Sequence, residues 1–257
     1  MSTNVWDPQQ YNRFADEREQ PFWDLAALLA PVAQPTVVDL GCGDGRLTAA
    51  LHPHVGAAAT LGVDSSDAML ADAEQHIADG VTFARGDIAT WSAAGAFDIV
   101  FSNAAMQWAP DHEAVLARWT AALRPGGQLA VQVPSNADHP APTIAAQVAA
   151  ELLGPDAPPD VTGANVLPPE EYARILDRLG YERQSVRLQV YGHHLESTSA
   201  VVDWIKGSTL TRFRALLPGD AFDAYVEEVR VRVVAALGEH APFFYPFKRI
   251  LLWGQRP

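Results

Sequence analysis

Residues Val37 to Gly45 read Val-Val-Asp-Leu-Gly-Cys-Gly-Asp-Gly, an apolar run passing into a glycine loop, and Asp64 closes the next apolar run, Ala59-Thr60-Leu61-Gly62-Val63. Glycine at 41 and 43 permits positive φ and lets a ligand approach the backbone. An acid at the end of the second strand of such a unit accepts the two hydroxyls of a ribose. The pairing points to an adenosine-type cofactor at the carboxyl edge of a parallel sheet. A dinucleotide fingerprint needs its third glycine at position 46, where close helix-strand packing excludes a side chain, and this chain has Arg46 there. Asp39 and Asp44 put carboxylates where a pyrophosphate would be repelled. A nicotinamide cofactor is therefore disfavoured, and a ligand carrying a cationic amine fits better.

Two later stretches belong to the same edge. Gly86-Asp87-Ile88, followed by Trp91, suits a carboxylate that accepts the adenine amino group while an apolar neighbour packs on the ring; the alternative is an aspartate that merely caps the N-terminus of a helix. Ser102-Asn103-Ala104-Ala105-Met106-Gln107-Trp108 follows the fourth strand, where ligands bind in open α/β sheets. Asn103 or Trp108 then faces the reacting centre or the acceptor, with core packing as the alternative for Trp108.

The elements that must carry these residues follow from periodicity. Strands are expected at 36–40, 60–63, 81–84, 97–102, 128–133, 185–193 and 247–254, and helices at 21–30, 46–51, 67–76, 112–123, 143–153, 168–179 and 222–237. Pro21 suits the first turn of the leading helix, and Pro125-Gly126-Gly127 is expected to end a helix by a turn before the next strand. Short apolar strands alternating with helices predict an α/β fold, a doubly wound, mostly parallel seven-stranded Rossmann-like sheet, with a helical lid inserted between its last two strands. The expected division is residues 1–35 as a helical segment closing over cofactor, 36–136 as the cofactor-binding core, 137–196 as an excursion and sixth strand, 197–245 as the lid and 246–257 as the final strand.

The chain has 257 residues, with 18 Lys and Arg against 31 Asp and Glu, a formal charge of −13 and a pI near 4.9. That balance argues against a nucleic-acid backbone or an anionic membrane as partner and for a small acceptor. A single cysteine, Cys42, excludes an intrachain disulfide, and no leader or membrane span is read, so a cytoplasmic protein, monomeric or weakly homo-oligomeric, is expected. His193-His194 face opposite ways on a strand and no HExxH or cysteine cluster exists, so no metal is expected. Ser65-Ser66 sits in no nucleophile elbow.

The glycine loop with Asp64 resembles the first two motifs of class I S-adenosylmethionine-dependent methyltransferases. From end to end the chain is similar to the trans-aconitate 2-methyltransferase family, on Trp6-Asp7-Pro8 with Tyr11, Phe14 and Glu17-Arg18, on Asp64-Ser65-Ser66 with Met69, and on Gly86-Asp87-Ile88 with Trp91. Asn103-Ala104 with Gln107-Trp108, Val131-Gln132 with Pro134 and Asn136, Asp203-Trp204 and Pro246-Phe247-Lys248-Arg249 continue it. The resemblance implies that Tyr11, Phe14 and Arg18 close over cofactor and substrate. It further implies that Asp39, Gly41, Gly43, Asp64, Ser65, Met69, Asp87, Ile88, Asn103 and Trp108 hold S-adenosylmethionine. Gln107, Gln132, Lys206, Arg212 and Arg249 are the expected substrate ligands, arginine offering a carboxylate a bidentate fork. The family's arginine after the leucine matching Leu210 is Thr211 here, with Arg212 one step later. Strand alternation points Lys248 and Arg249 to opposite faces, so at most one of them serves. With a carboxylate acceptor no residue is needed as acid or base, and Trp108 and Arg18 act by positioning. The rival readings are a methyltransferase of the same fold acting on an oxygen, nitrogen or carbon of a specialised metabolite, with His139, His193 or Glu170 as base, and a protein that binds the cofactor without transferring methyl.

Overall fold

The computed structural model describes residues 15–158, 161–207, 209–214 and 216–257. Tyr11 and Phe14 lie outside them.

The strands are β1 (Thr36–Leu40), β2 (Ala59–Asp64), β3 (Val81–Arg85), β4 (Phe97–Asn103), β5 (Leu123–Pro134), β6 (Arg183–Leu195) and β7 (Phe243–Gln255). They form one seven-stranded sheet in the order β3-β2-β1-β4-β5-β7-β6. The pairs β1–β2, β2–β3, β1–β4 and β4–β5 are parallel, and β5–β7 is antiparallel. The expected mostly parallel sheet is thus present. The order doubles back at β1, and that switch point is where ligands bind in open α/β sheets.

Period-two alternation decides what each face buries. Val38, Leu40, Val100, Leu129 and Val131 point to one face, where they meet Leu116 and Trp119 of α4 (His112–Ala121) and Tyr172 and Leu176 of α7 (Pro169–Arg178). Val37, Ile99, Phe101 and Ala130 point to the other, against Phe22 and Leu25 of α1 (Ala15–Ala26) and Leu51 of α2 (Arg46–His54). Each fully buried large aliphatic or aromatic side chain contributes roughly 1.5–3 kcal/mol. Helices on both faces make the sheet doubly wound.

Several expected boundaries move. The leading helix does not begin at Pro21 but at Ala15, and Pro21 lies inside it. One helical N–H is forgone there, and burial of Phe22, Leu25 and Ala26 holds the helix through it. β5 begins at Leu123, not Gln128, because Leu123 already pairs with Phe97. Arg124 to Gly127 are therefore spliced into the ladder as an irregularity between the Phe97 and Ile99 pairings, instead of forming a free turn. The expected helix at 67–76 is α3 (Asp67–Ala73) continued by a single 3-10 turn, Glu74–His76.

The chain divides into two compact units. One comprises Arg18–Pro134, Ala164–Gln189 and Arg249–Pro257 and holds the two cores just described. The other includes Ser135–Gly163 and Val190–Lys248. Its helices are α5 (Pro140–Leu153), α8 (Ala200–Lys206), α9 (Thr211–Arg214) and α10 (Asp220–Leu237), packed about Trp204, Phe213, Tyr225 and Tyr245. A short helix, α6 (Val161–Asn165), precedes α7. No helix among the described residues is long and apolar enough to cross a membrane.

Gln128 joins α1's trailing loop to the sheet. Its Oε1 accepts from Ala30 N at 2.7 Å and from Trp253 Nε1 at 2.9 Å, and its Nε2 donates to Ala30 O at 2.9 Å. The residue is fully buried, so Gln128→Leu strands three polar groups at about 1 kcal/mol or more each. Urea unfolding should register a loss of roughly 3 kcal/mol; a loss under about 1 kcal/mol would refute the tie.

Candidate active site

The carboxyl ends of β1, β2 and β4 bring the glycine loop, Asp64 and Asn103 to one edge. Gly41, Gly43 and Gly45 all have positive φ, at 84°, 57° and 74°. The two loop glycines at 41 and 43 are needed for different reasons. A Cβ on Gly41 would fall 2.1 Å from Ala105 Cβ, so the loop is pressed against the segment leaving β4. A Cβ on Gly43 would meet nothing within 4 Å, which leaves open space beside a backbone that is already pinned.

Asp64 does the pinning. Its Oδ2 accepts from Gly43 N at 3.0 Å and its Oδ1 from Ser66 N at 2.9 Å. Each oxygen keeps a lone pair, so the carboxylate is oriented and still able to accept two hydroxyls. Ser66 Oγ accepts from Met69 N and caps α3, which places exposed Ser65 beside Asp64 and buries Met69. Asp87 is exposed and its Oδ1 accepts from Ala89 N at 2.9 Å. Residues 88–90 form a turn and no helix begins at Asp87, so the helix-capping alternative is not what the structure shows, and the second oxygen remains for a ligand. Ile88 is half-buried and its carbonyl accepts from Trp119 Nε1.

Asp39 lies beneath the loop, 3% exposed, and its Oδ2 accepts from Thr48 Oγ1 at 2.5 Å. Burial pushes its carboxyl up to about 7; the Thr48 hydrogen bond works against the shift and the Asp64 charge adds to it. Burial likewise raises the Cys42 thiol, in keeping with a packing residue. Arg46, at the position a dinucleotide loop keeps for glycine, pairs with Glu19 of α1 at 2.9 Å.

Past β4, Ala104 turns the chain at φ 54°. Its N–H donates to Gln132 O at 2.9 Å, and its carbonyl accepts from Gln107 Nε2 at 2.7 Å. Gln132, fully buried, accepts at Oε1 from Arg249 Nη1 at 3.3 Å. Arg249 is 4% exposed, whereas half-exposed Lys248 pairs with Asp138. Asn103 Oδ1, Gln107 Oε1 and Gln132 Nε2 are enclosed and have no partner among the described residues. Trp108 is half-buried. His112 Nδ1 meets Tyr172 OH at 2.6 Å just after this turn, and burial lowers its pKa, a support that the sequence reading missed.

The remaining expected residues lie elsewhere. Arg18 is in α1. In the helical unit, Arg212 is 5% exposed with its guanidinium 4.6 Å from the Phe213 ring centre, and Lys206 ends α8 half-exposed. Of the candidate bases, His139 is poorly suited to that task. His139 Nδ1 accepts from Ala141 N to cap α5, so its proton sits on Nε2, and burial lowers its pKa. His193 is buried with its ring 4.8 Å from Trp204, and Glu170 is exposed in the first turn of α7.

A loop able to admit a ligand against backbone, an oriented carboxylate for a ribose and orphaned amide atoms at the next strand ends fit S-adenosylmethionine. The fold and edge define a class I S-adenosylmethionine-dependent methyltransferase. Residues 37–127 match the model of a family described as a methyltransferase domain. The fold is similar to that of a putative methyltransferase from Bacillus halodurans, with a TM-score of 0.63 at 16% identity over 93% of this chain and 99% of that one. It is also similar to a Haemonchus contortus phosphoethanolamine N-methyltransferase, with a TM-score of 0.58 at 19% identity over 93% of this chain and 52% of that one. The trans-aconitate 2-methyltransferase of Deinococcus radiodurans is 40% identical over 98% of this chain and 99% of its own length. That of Klebsiella pneumoniae is 38% identical over 92% and 90%. The chain belongs to the trans-aconitate 2-methyltransferase family.

Two predictions follow from the loop. Gly43→Ala, with open space but positive φ, should cost only about 1–2 kcal/mol of stability, yet weaken S-adenosylhomocysteine binding at least tenfold by calorimetry; unchanged affinity would count against that open space as the cofactor's. For Asp39, a folded value near 7 against an ordinary 3.8 means the folded chain keeps a proton that the unfolded chain releases. The stability it contributes is complete below about pH 4 and is lost as pH rises through 7. Melting temperatures of Asp39→Asn should therefore fall less between pH 4 and 7 than those of the parent; parallel profiles would contradict the shift.

Proposed function

We propose that the enzyme transfers the methyl group of S-adenosylmethionine to one carboxylate of a small polycarboxylic acid such as trans-aconitate, giving a monomethyl ester and S-adenosylhomocysteine. The observation that carries the acceptor half is the buried guanidinium of Arg249 beside Gln132, in the same compact unit as the cofactor groups. The names of relatives at 38 and 40% identity support it. Lys206 and Arg212 belong to the helical unit and enter the proposal on the family resemblance, as do Tyr11, Phe14 and Arg18.

When bound, the cofactor supplies a methyl group on a positively charged sulfur, open to in-line displacement. Asp64 orients the ribose, with Ser65 and Met69 beside it, and Asp87 and Ile88 hold the adenine. Gly41 and Gly43 shape the loop, and Asn103 with Trp108 bounds the reacting end. A carboxylate with pKa near 4 is already ionised at neutral pH, so no residue need take its proton. Holding two reactants aligned is itself worth roughly 7–11 kcal/mol of barrier. Opposite charges are cancelled as the reaction proceeds, so a dry site favours it. Arginine contact with the reacting oxygen would hinder it. Arg249 therefore belongs on a carboxylate that is not methylated. The same reading has the enzyme act in the cytoplasm, as a monomer or weak homo-oligomer.

Release of S-adenosylhomocysteine should be seen with di- and tricarboxylates, with a product one methyl heavier by mass. Arg249→Ala should raise KM roughly 10- to 150-fold, the equivalent of a charge-assisted hydrogen bond, while kcat changes by less than about fivefold, and His139→Gln should keep its turnover. A fall confined to kcat in Arg249→Ala, or a dead His139→Gln that still folds and binds cofactor, would defeat the placement mechanism.

A further inference from the structure

An amide side chain can be read in two orientations, but at this edge one-way partners settle both glutamines. Arg249 has donors only, so the Gln132 atom that meets its Nη1 at 3.3 Å is Oε1, and Nε2 is left as a donor. The Ala104 carbonyl is an acceptor only, so the Gln107 atom 2.7 Å from it is Nε2, and Oε1 is left as an acceptor. Both leftover atoms are enclosed and have no partner among the described residues. The two residues are 0% and 6% exposed. They also hang from one point, since Ala104 N donates to Gln132 O while Ala104 O takes the Gln107 amide. Asn165 Nδ2 steadies the arrangement through Gln107 O at 3.1 Å, and Asn103, in register with Gln132, adds a third enclosed amide atom.

Enclosing such atoms without partners is destabilising, and a ligand of matching polarity removes the penalty. The two substrates of the proposed reaction differ in what they offer. A polycarboxylate ionised at neutral pH presents acceptors only, so it can satisfy Gln132 Nε2 and would be repelled by Gln107 Oε1. The methionine end of the cofactor carries an ammonium, which presents donors.

We propose that polarity sorts the two ligands at this edge. Gln107 Oε1 accepts from the ammonium of the cofactor, and Gln132 Nε2 donates to a carboxylate oxygen of the acceptor. Arg249 is the positioning residue that sets the Gln132 amide the right way round. This moves Gln107 from the substrate side, where the sequence reading put it, to the cofactor side. The inference rests on the carboxylate-methylating function proposed above.

The test is a double dissociation on the full chain. S-adenosylhomocysteine binding is measured by calorimetry without acceptor, and acceptor KM is measured with trans-aconitate at saturating cofactor. Gln107→Met should raise the S-adenosylhomocysteine Kd about tenfold or more and leave acceptor KM within about threefold. Gln132→Met should raise acceptor KM roughly 10- to 100-fold and leave that Kd within threefold. Gln132→Glu, which turns the donor into an acceptor and captures Arg249, should raise KM further than Gln132→Met. Circular dichroism and melting confirm that each variant folds; should Gln107→Met not fold, Gln107→Ala, which removes the acceptor oxygen without adding bulk, is measured in its place and should raise the Kd about tenfold or more. The proposal is overturned if Gln132→Met raises the Kd and spares KM, for then Gln132 reads the cofactor's own carboxylate, or if both Met variants shift the same ligand or neither shifts any. A parent enzyme that turns over no polycarboxylate sinks the proposed function and the Gln132 half together, and the calorimetry alone then decides the Gln107 half.

Discussion

The close approach of Gly41 to Ala105 is the constraint on which the rest of the site depends. With a Cβ at Gly41 only 2.1 Å from Ala105 Cβ, the loop after β1 and the segment after β4 cannot both be where they are unless residue 41 lacks a side chain. That contact fixes the end of one strand against the end of its neighbour. From it follow the loop path that brings Gly43 N to Asp64, and the sharp turn at Ala104 that carries Gln107 and Trp108 past the strand end. The parallel register does the remainder. β2 pairs with β1 and β3 residue by residue, and β4 with β5, so Asp64, Asn103 and Gln132 arrive at one edge without any loop having to place them.

Two glutamines on β5 show how scaffold and site part company on a single strand. Gln128 and Gln132 are both fully buried, and four residues apart they share a face. Gln128 makes three hydrogen bonds, which account for both of its polar atoms. Gln132 has one atom matched by Arg249 and one unmatched. Burial alone does not separate a structural amide from a recognising one; satisfaction does. The same criterion singles out Gln107 and Asn103.

The sheet and the cofactor loop were legible in the sequence because each rests on local rules. Glycine spacing, apolar runs of strand length and an acid at a strand end are read without tertiary knowledge, and β1 was placed to the residue. Legibility failed where distant contacts override local preference. Pro21 reads as a helix start, but burial of Phe22, Leu25 and Ala26 carries the helix through it. Pro125-Gly126-Gly127 reads as a free turn, but the pairing of Leu123 with Phe97 draws it into the ladder. At the site, Gln107 and Gln132 could be picked by resemblance, yet amide polarity is invisible until Arg249 and the Ala104 carbonyl are in place. The His112–Tyr172 pair joins residues 60 positions apart and leaves no spacing signal at all.

A chain with a formal charge of −13 that handles an anionic substrate must keep its global field away from the site. Screening does part of this, since exposed charges more than about 8 Å away count for little at physiological salt. Many of the surface acids are also spent on surface cations, as in the Arg178–Glu113, Arg124–Asp98, Arg230–Asp203 and Arg232–Glu151 pairs. Near the cofactor edge the device differs. Asp39 is buried next to the Asp64 charge, and burial raises its carboxyl to about 7, so near neutrality it carries only part of a negative charge. Asp64, the carboxylate read as the ribose acceptor, is oriented instead by the backbone N–H groups of Gly43 and Ser66. Arg249 gives a guanidinium N–H to the neutral Gln132 amide, which orients it. Burial thus trims the negative charge of one acid beside the site, an effect that salt does not screen, while a hydrogen bond to Gln132 holds the Arg249 guanidinium in place within an acidic protein.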